Sequence, residues 1–282
     1  MFSETAGRQF ESDRWLHEWE MSKFIDKLNR LSRGEPQPIG FRTAQSASPK
    51  PQMQLVASLA QDSVDSPANY ATKADAGLLH ISELSSGAKT IQKMLQAVPG
   101  IPWGGWLQDG SPGEIKQMTE AGCDFVVFPA TNTPLAILQN DEVGKILEVE
   151  ASLAEGLLRS ANELPIDAVL IADTQRKGGF LTWQHLMLFQ RFADLLTKPL
   201  LVSIPESVTA DELQALWEAG VSSVIIEVRG RQSQNRLKEL RQIIDKLPFM
   251  VPRKREKTEP LLPRVSAEMG MATAEEEEEE EE

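Results

Sequence analysis

Between residues 53 and 248 short apolar runs alternate with longer amphipathic stretches. The runs are Gln54–Leu59, Gly77–Ile81, Trp103–Leu107, Asp124–Phe128, Lys145–Glu150, Asp167–Ala172, Leu200–Ile204 and Ser223–Val228. Their starts lie about 20 to 33 residues apart, room each time for one helix and two short loops. The stretches between them carry helix signals. Ser111 with Glu114 and Thr209 with Glu212 fit a capping box, in which hydroxyl and carboxylate each satisfy a backbone N–H at a helix start. Gly122 and Gly220 fall just past helix ends, where left-handed backbone is wanted. Eight strand–helix units predict a parallel sheet closed into a (β/α)8 TIM barrel, with an open doubly wound sheet as the alternative. Such an open sheet usually has a Gly-rich first turn, and Ala60-Gln61-Asp62-Ser63-Val64-Asp65 is not one.

Before this body, residues 10–33 place Trp15, Leu16, Trp19, Phe24, Ile25, Leu28 and Leu31 at roughly helical spacing. They predict an extra N-terminal helix that plugs the barrel bottom, packs on the barrel's side, or engages a protein partner. A membrane-surface role is weakened by Glu11, Asp13, Glu18 and Glu20. The Pro-rich stretch to residue 52 reads as an extended connector. Residues 249–282, ending in eight consecutive Glu, read as a disordered acidic tail. The expected organisation is therefore 1–52 helix and connector, 53–248 barrel, and 249–282 tail.

The Ser111–Gly122 stretch is echoed by Thr209–Gly220, as a half-barrel repeat would be. The segments Lys198–Gly220 and Glu120–Phe128 resemble units of aldolase-type (β/α)8 barrels, a superfamily that includes phosphate-binding and flavin-dependent members. The resemblance covers residues 53–248 at the level of fold rhythm and singles out no one family. It implies a site at the C-terminal ends of the strands. Phosphate-binding barrels have Gly-rich turns after strands seven and eight. Here those turns are Pro205-Glu206-Ser207 and Arg229-Gly230-Arg231, so only Gly230 fits, which counts against a phosphate or flavin site of that kind.

Strand parity sorts the candidate chemistry, because the outward face must be apolar to meet the helices. Glu148, Glu150, Glu227 and Arg229 fall on the inward parity, with Ser203 and His80, and Asp173 stands at the mouth after strand six. Glu148, Glu150, Glu227 and Asp173 are the candidate catalytic groups. Crowded carboxylates in a low dielectric repel, raising one pKa into a range useful for acid/base work, or they bind a hard cation. The structural alternative is an internal ion-pair network of Glu148 and Glu227 with Arg229. A second signal is Arg176-Lys177-Gly178-Gly179 ahead of a helical pattern, a candidate anion contact that also reads as an ordinary solvated loop. Arg229, Arg176, Lys177, Gly178, Gly179, Ser203 and His80 are the candidate substrate contacts. Trp106 has the parity of a pocket wall, whereas Trp103 faces the helices. The sequence names no metal and no cofactor.

Composition narrows the partners. The chain of 282 residues has a net charge of −13, of which the terminal Glu run carries −8, leaving −5 on residues 1–274. An acidic balance gives no nucleic-acid footprint. Cys123 is the only cysteine, so no intramolecular disulfide or Cys-based metal cluster forms. No apolar run approaches the ~18 residues of a membrane span, and Met1-Phe2-Ser3-Glu4-Thr5 does not begin a secretory leader. A cytoplasmic protein is expected. Two functional readings follow: a lyase or isomerase acting on a small anionic substrate at the C-terminal face, or a non-catalytic barrel that binds partners through residues 10–33 and the tail.

Overall fold

The computed structural model describes residues 22–33, 53–60, 73–81, 84–108, 112–172, 179–229 and 231–247. Eight strands run β1 (Gln54–Ala60), β2 (Ala76–Ile81), β3 (Trp103–Leu107), β4 (Phe125–Pro129), β5 (Gly144–Glu150), β6 (Ala168–Ala172), β7 (Leu200–Ile204) and β8 (Ser223–Glu227). Every neighbouring pair is parallel, and β1 pairs with β8 through Gln54–Ser223 to Ser58–Glu227, so the sheet closes. That closure excludes the open doubly wound alternative. The helices are α1 (Lys23–Arg33), α2 (Leu84–Ala97), α3 (Pro112–Glu120), α4 (Glu155–Ser160), α5 (Trp183–Leu195), α6 (Ala210–Glu218) and α7 (Arg231–Ile244), with a 3-10 turn at Leu135–Gln139 after β4.

Parity divides the apolar residues into two bodies. Leu55, Leu79, Val126, Val149, Val169, Val202 and Val224 point outward and pack with helix residues such as Ile91, Met118, Phe189, Phe192, Leu213 and Leu240. Val56, Leu78, Phe125, Val127, Ile146, Leu170, Leu201 and Ile225 point inward and form the second cluster. Trp103 is fully buried on the outer side, as its parity requires, while Trp106 borders the inner cluster. The left-handed Gly122 (φ 89°) and Gly220 (φ 94°) end α3 and α6, and Thr209 with Glu212 forms the capping box read from sequence. A further box, Thr182 with His185, starts α5; there the imidazole Nδ1 lies 3.1 Å from the Thr182 backbone N–H. Ser111 lies outside the described residues.

α1 completes the inner cluster. Phe24, Ile25 and Leu28 are buried among the inward strand residues, and the Phe24 and Phe125 rings stand 4.6 Å apart between centroids. The helix lies at the N-terminal ends of the strands. Asp124, one residue before β4, accepts the Ser22 hydroxyl at 2.6 Å and the backbone N–H groups of Lys23 and Phe24 at 2.8 and 3.0 Å. A carboxylate supplied by the barrel thus caps α1, meeting both its unpaired N–H groups and the positive end of its dipole. The approach is close: a Cβ on Gly144 would sit 2.5 Å from Ile25 Cγ1. Asp75 and Asp167, each one residue before a strand, likewise accept the Leu55 and Lys145 N–H groups, and Asp75 also pairs with Arg241 of α7.

Of the expected N-terminal helix, therefore, Lys23–Arg33 is a plug at the barrel bottom; residues 10–21, with Trp15 and Trp19, lie outside the described residues. Each of the three apolar plug side chains contributes about 1.5–3 kcal/mol by burial. Phe24→Ala is expected to lower unfolding stability by about 3–5 kcal/mol and Asp124→Ala by about 0.5–2 kcal/mol, measured by urea denaturation. A Phe24→Ala midpoint indistinguishable from wild type would contradict the plug.

Candidate functional site

The inward positions change character towards the C-terminal ends of the strands, where apolar side chains give way to Ser58, His80, Trp106, Glu148, Ser203 and Glu227. Register sets their neighbours: His80 lies beside Trp106 across β2 and β3, and Ser58 beside Glu227 across β1 and β8. The His80 and Trp106 rings stack at 4.3 Å with 24° between planes. Trp106 Nε1 donates to Glu148 Oε2 at 2.6 Å, joining β3 to β5 across the intervening β4. Gly104, the inward position below Trp106, makes room for the Phe125 ring, which a Cβ there would overlap.

Burial governs the two titratable groups here. Desolvation raises the Glu148 carboxyl above its ordinary value, and the Trp106 N–H, which favours the ionised form, offsets this only in part. Desolvation lowers the His80 imidazole, opposed by the negative charge of Glu227. Both groups are pushed towards their neutral forms. This differs from the mechanism expected from sequence: the Glu148 shift arises from burial, not from a neighbouring carboxylate.

Glu227 and Arg229 lie further out. Arg229 Nε and Nη2 donate to the two Glu227 oxygens at 2.8 and 2.7 Å, and their side chains are 77% and 46% exposed, Arg229 the more so. An exposed pair of this kind adds little stability. Glu148 takes no part in it, so the internal network of Glu148, Glu227 and Arg229 considered from sequence is reduced to one rim pair. Glu150 is exposed and accepts the Ser152 hydroxyl at 3.1 Å. Ser203 is half-buried and inward, in register with Ile225. Asp173, Arg176, Lys177 and Gly178 lie outside the described residues. Gly179 is exposed with φ 67°, and its carbonyl accepts the Ser207 hydroxyl at 2.6 Å, tying the turn after β6 to the loop after β7. Among the described residues no group of three or more His, Cys, Asp or Glu side chains is placed to hold a metal ion. Cys123 is buried at the opposite end, its thiol pushed up to about 12 by desolvation.

Parity reasoning passed over Ser58. It is 1% exposed, faces inward, and its Oγ has no hydrogen-bond partner among the described residues. A buried hydroxyl without a partner costs free energy unless something supplies one. The available signal was the alternation of Leu55, Ala57 and Leu59, which leaves Gln54 and Ser58 as polar inward positions of β1.

Comparison with known proteins gives no matching family model and no matching curated sequence. Solved structures do match. A mutant tryptophan synthase α-subunit of the hyperthermophile Pyrococcus furiosus aligns over 69% of this chain and 97% of its own, with 11% identity and a TM-score of 0.55. The 3-keto-L-gulonate-6-phosphate decarboxylase of Vibrio cholerae O1 aligns over 70% and 99%, with 16% identity and a TM-score of 0.56.

The geometry makes a pH prediction. The raised Glu148 pKa means that the folded protein holds this proton to higher pH than the unfolded chain, so stability falls as pH rises from the ordinary carboxyl value through the folded one. Glu148→Gln is expected to remove that decline and to be the more stable protein above it, measured by thermal melts from about pH 4 to 8. Identical wild-type and Glu148→Gln profiles would contradict the burial of this carboxyl. No helix of the described residues is long and apolar enough to cross a membrane, and the closed sheet of eight parallel strands gives the chain a (β/α)8 barrel fold, shared with both of these solved structures.

Proposed function

We propose that the protein is a lyase or isomerase that moves a proton on a small anionic substrate at the C-terminal mouth of the barrel. The observation that carries this reading is the Trp106–Glu148 hydrogen bond, which holds a half-buried carboxyl of raised pKa on an inward position. A general acid or base needs a pKa moved towards the working pH and a fixed direction; burial raises this carboxyl, and the Trp106 donor holds its orientation. Glu148 is assigned the proton transfer, and His80, stacked on Trp106 and pushed by burial towards its neutral form, is assigned the second proton-carrying position.

Arg229 is the exposed cation of the rim and is assigned to the substrate's anionic group, exchanging part of its contact with Glu227 on binding. The unpartnered Ser58 hydroxyl would pair with a polar atom of the ligand. Glu150, Ser203 and Glu227 are rim contacts in this reading. Arg176, Lys177, Gly178 and Gly179 are assigned a second anion contact, and Asp173 an accessory acid/base role. A cytoplasmic setting, and the division into 1–52, 53–248 and 249–282, belong to the same reading. No cofactor is assigned.

A second reading, a binding protein without catalysis, is favoured by one feature. Phe180, Trp183 and Met187 are 61%, 82% and 70% exposed at the start of α5, an apolar face of the sort proteins use for contact.

A thermal-shift screen of small carboxylic acids against wild type, Glu148→Gln and Arg229→Met separates the readings. A stabilising acid is expected for wild type and for Glu148→Gln, with at least about tenfold weaker binding in Arg229→Met. Turnover of that acid should fall by about 10²- to 10⁴-fold in Glu148→Gln while its binding persists. If no acid stabilises the wild type, the catalytic reading loses its support.

A further inference from the structure

In barrels of this architecture a ligand's phosphate commonly sits between the turns after strands seven and eight, against backbone N–H groups at the start of the following helix. Here a side chain of the protein itself reaches that place. Glu206 lies two residues past the end of β7, and its Oε1 accepts the Ser233 hydroxyl at 2.6 Å. Ser233 stands in the first turn of α7, is 1% exposed, and accepts the Arg229 backbone N–H at 3.0 Å. Its single donor is committed to Glu206. Arg236, one turn further along α7, donates to the main-chain carbonyls of Glu206, at 2.7 Å, and of Val208. The Glu206 loop is thereby fastened to α7 by main chain and side chain together.

We infer that Glu206 is a built-in anion that keeps phosphate out of this turn, making it a specificity-determining residue in favour of unphosphorylated ligands. A carboxylate at a helix start interacts with the dipole that would otherwise attract an external anion, and Glu206 takes up the Ser233 hydroxyl there. It also repels a second anion brought within a few ångströms in a partly desolvated turn. Glu227 dominates the electrostatics of Arg229, the rim cation, and the negative charge of Glu206 adds to it in the same direction. The bearing of Glu206 on substrate choice rests on the mouth being a ligand site; the exclusion of phosphate does not.

Isothermal titration of the full chain with inorganic phosphate, and separately with malonate, tests this on wild type, Glu206→Gln and Glu206→Ala. Circular dichroism melts report folding, and Glu206→Gln keeps an acceptor for Ser233 should the Ala variant unfold. Wild type is expected to show no phosphate heat, and both variants to gain phosphate affinity by about tenfold or more. Phosphate binding by wild type as tight as by the variants would overturn the inference, and so would folded variants that gain none. If the variants gain phosphate while malonate binds none of the three proteins, Glu206 keeps its role and the proposed use of the mouth loses its support.

Discussion

The interior of a closed eight-stranded sheet is just wide enough for side chains to fill, and everything else in this molecule follows from how that filling is completed. The inward residues of the lower barrel are mostly apolar, Gln54 and Ser223 being the buried polar pair among them, and the last of the apolar contact at the N-terminal end comes from α1, whose Phe24, Ile25 and Leu28 join the inner cluster. The plug is held polar-side as well as apolar-side: Asp124 takes three donors from Ser22, Lys23 and Phe24 and so fixes where the helix begins. With that end covered by α1, the remaining polar inward side chains share a single outlet. They collect at the other end as Ser58, His80, Trp106, Glu148, Ser203 and Glu227.

That outlet is a graded environment. Deeper groups are held towards neutrality, with the Glu148 carboxyl raised and the His80 imidazole lowered, both by desolvation first. At the rim, water screens charge, and Glu227 and Arg229 pair as ordinary surface ions. A carboxyl and an imidazole whose pKa values are pushed towards each other from opposite sides suit proton exchange better than they suit stability. The indole of Trp106 links the two, stacked on one and hydrogen-bonded to the other.

Most of the scaffold was legible in the sequence because strand burial is a period-two signal. Trp103–Leu107 and Leu200–Ile204 match their strands end for end, and the inward parity of Glu148, Glu227, Ser203 and His80 followed from the outward apolar residues. The destination of Phe24, Ile25 and Leu28 did not follow, since an amphipathic helix shows that it covers something without showing what. The origin of the Glu148 shift was also hidden. Sequence gives which carboxylates share a parity, but not that Glu150 turns to Ser152 and Glu227 to Arg229, leaving Glu148 to a tryptophan. The Glu206–Ser233 contact spans 27 residues and two loops, and periodicity carries no information about it.

The central claim, that Glu148 transfers a proton to or from a bound substrate, is tested most directly by hydrogen exchange at substrate carbon. Small keto acids incubated with the protein in deuterium oxide and followed by proton NMR should lose their signal next to the carbonyl faster with wild type than in buffer. With Glu148→Gln the loss should return to the buffer rate. Exchange catalysed equally by wild type and Glu148→Gln would contradict the account, as would the absence of catalysed exchange for any acid that the mouth binds.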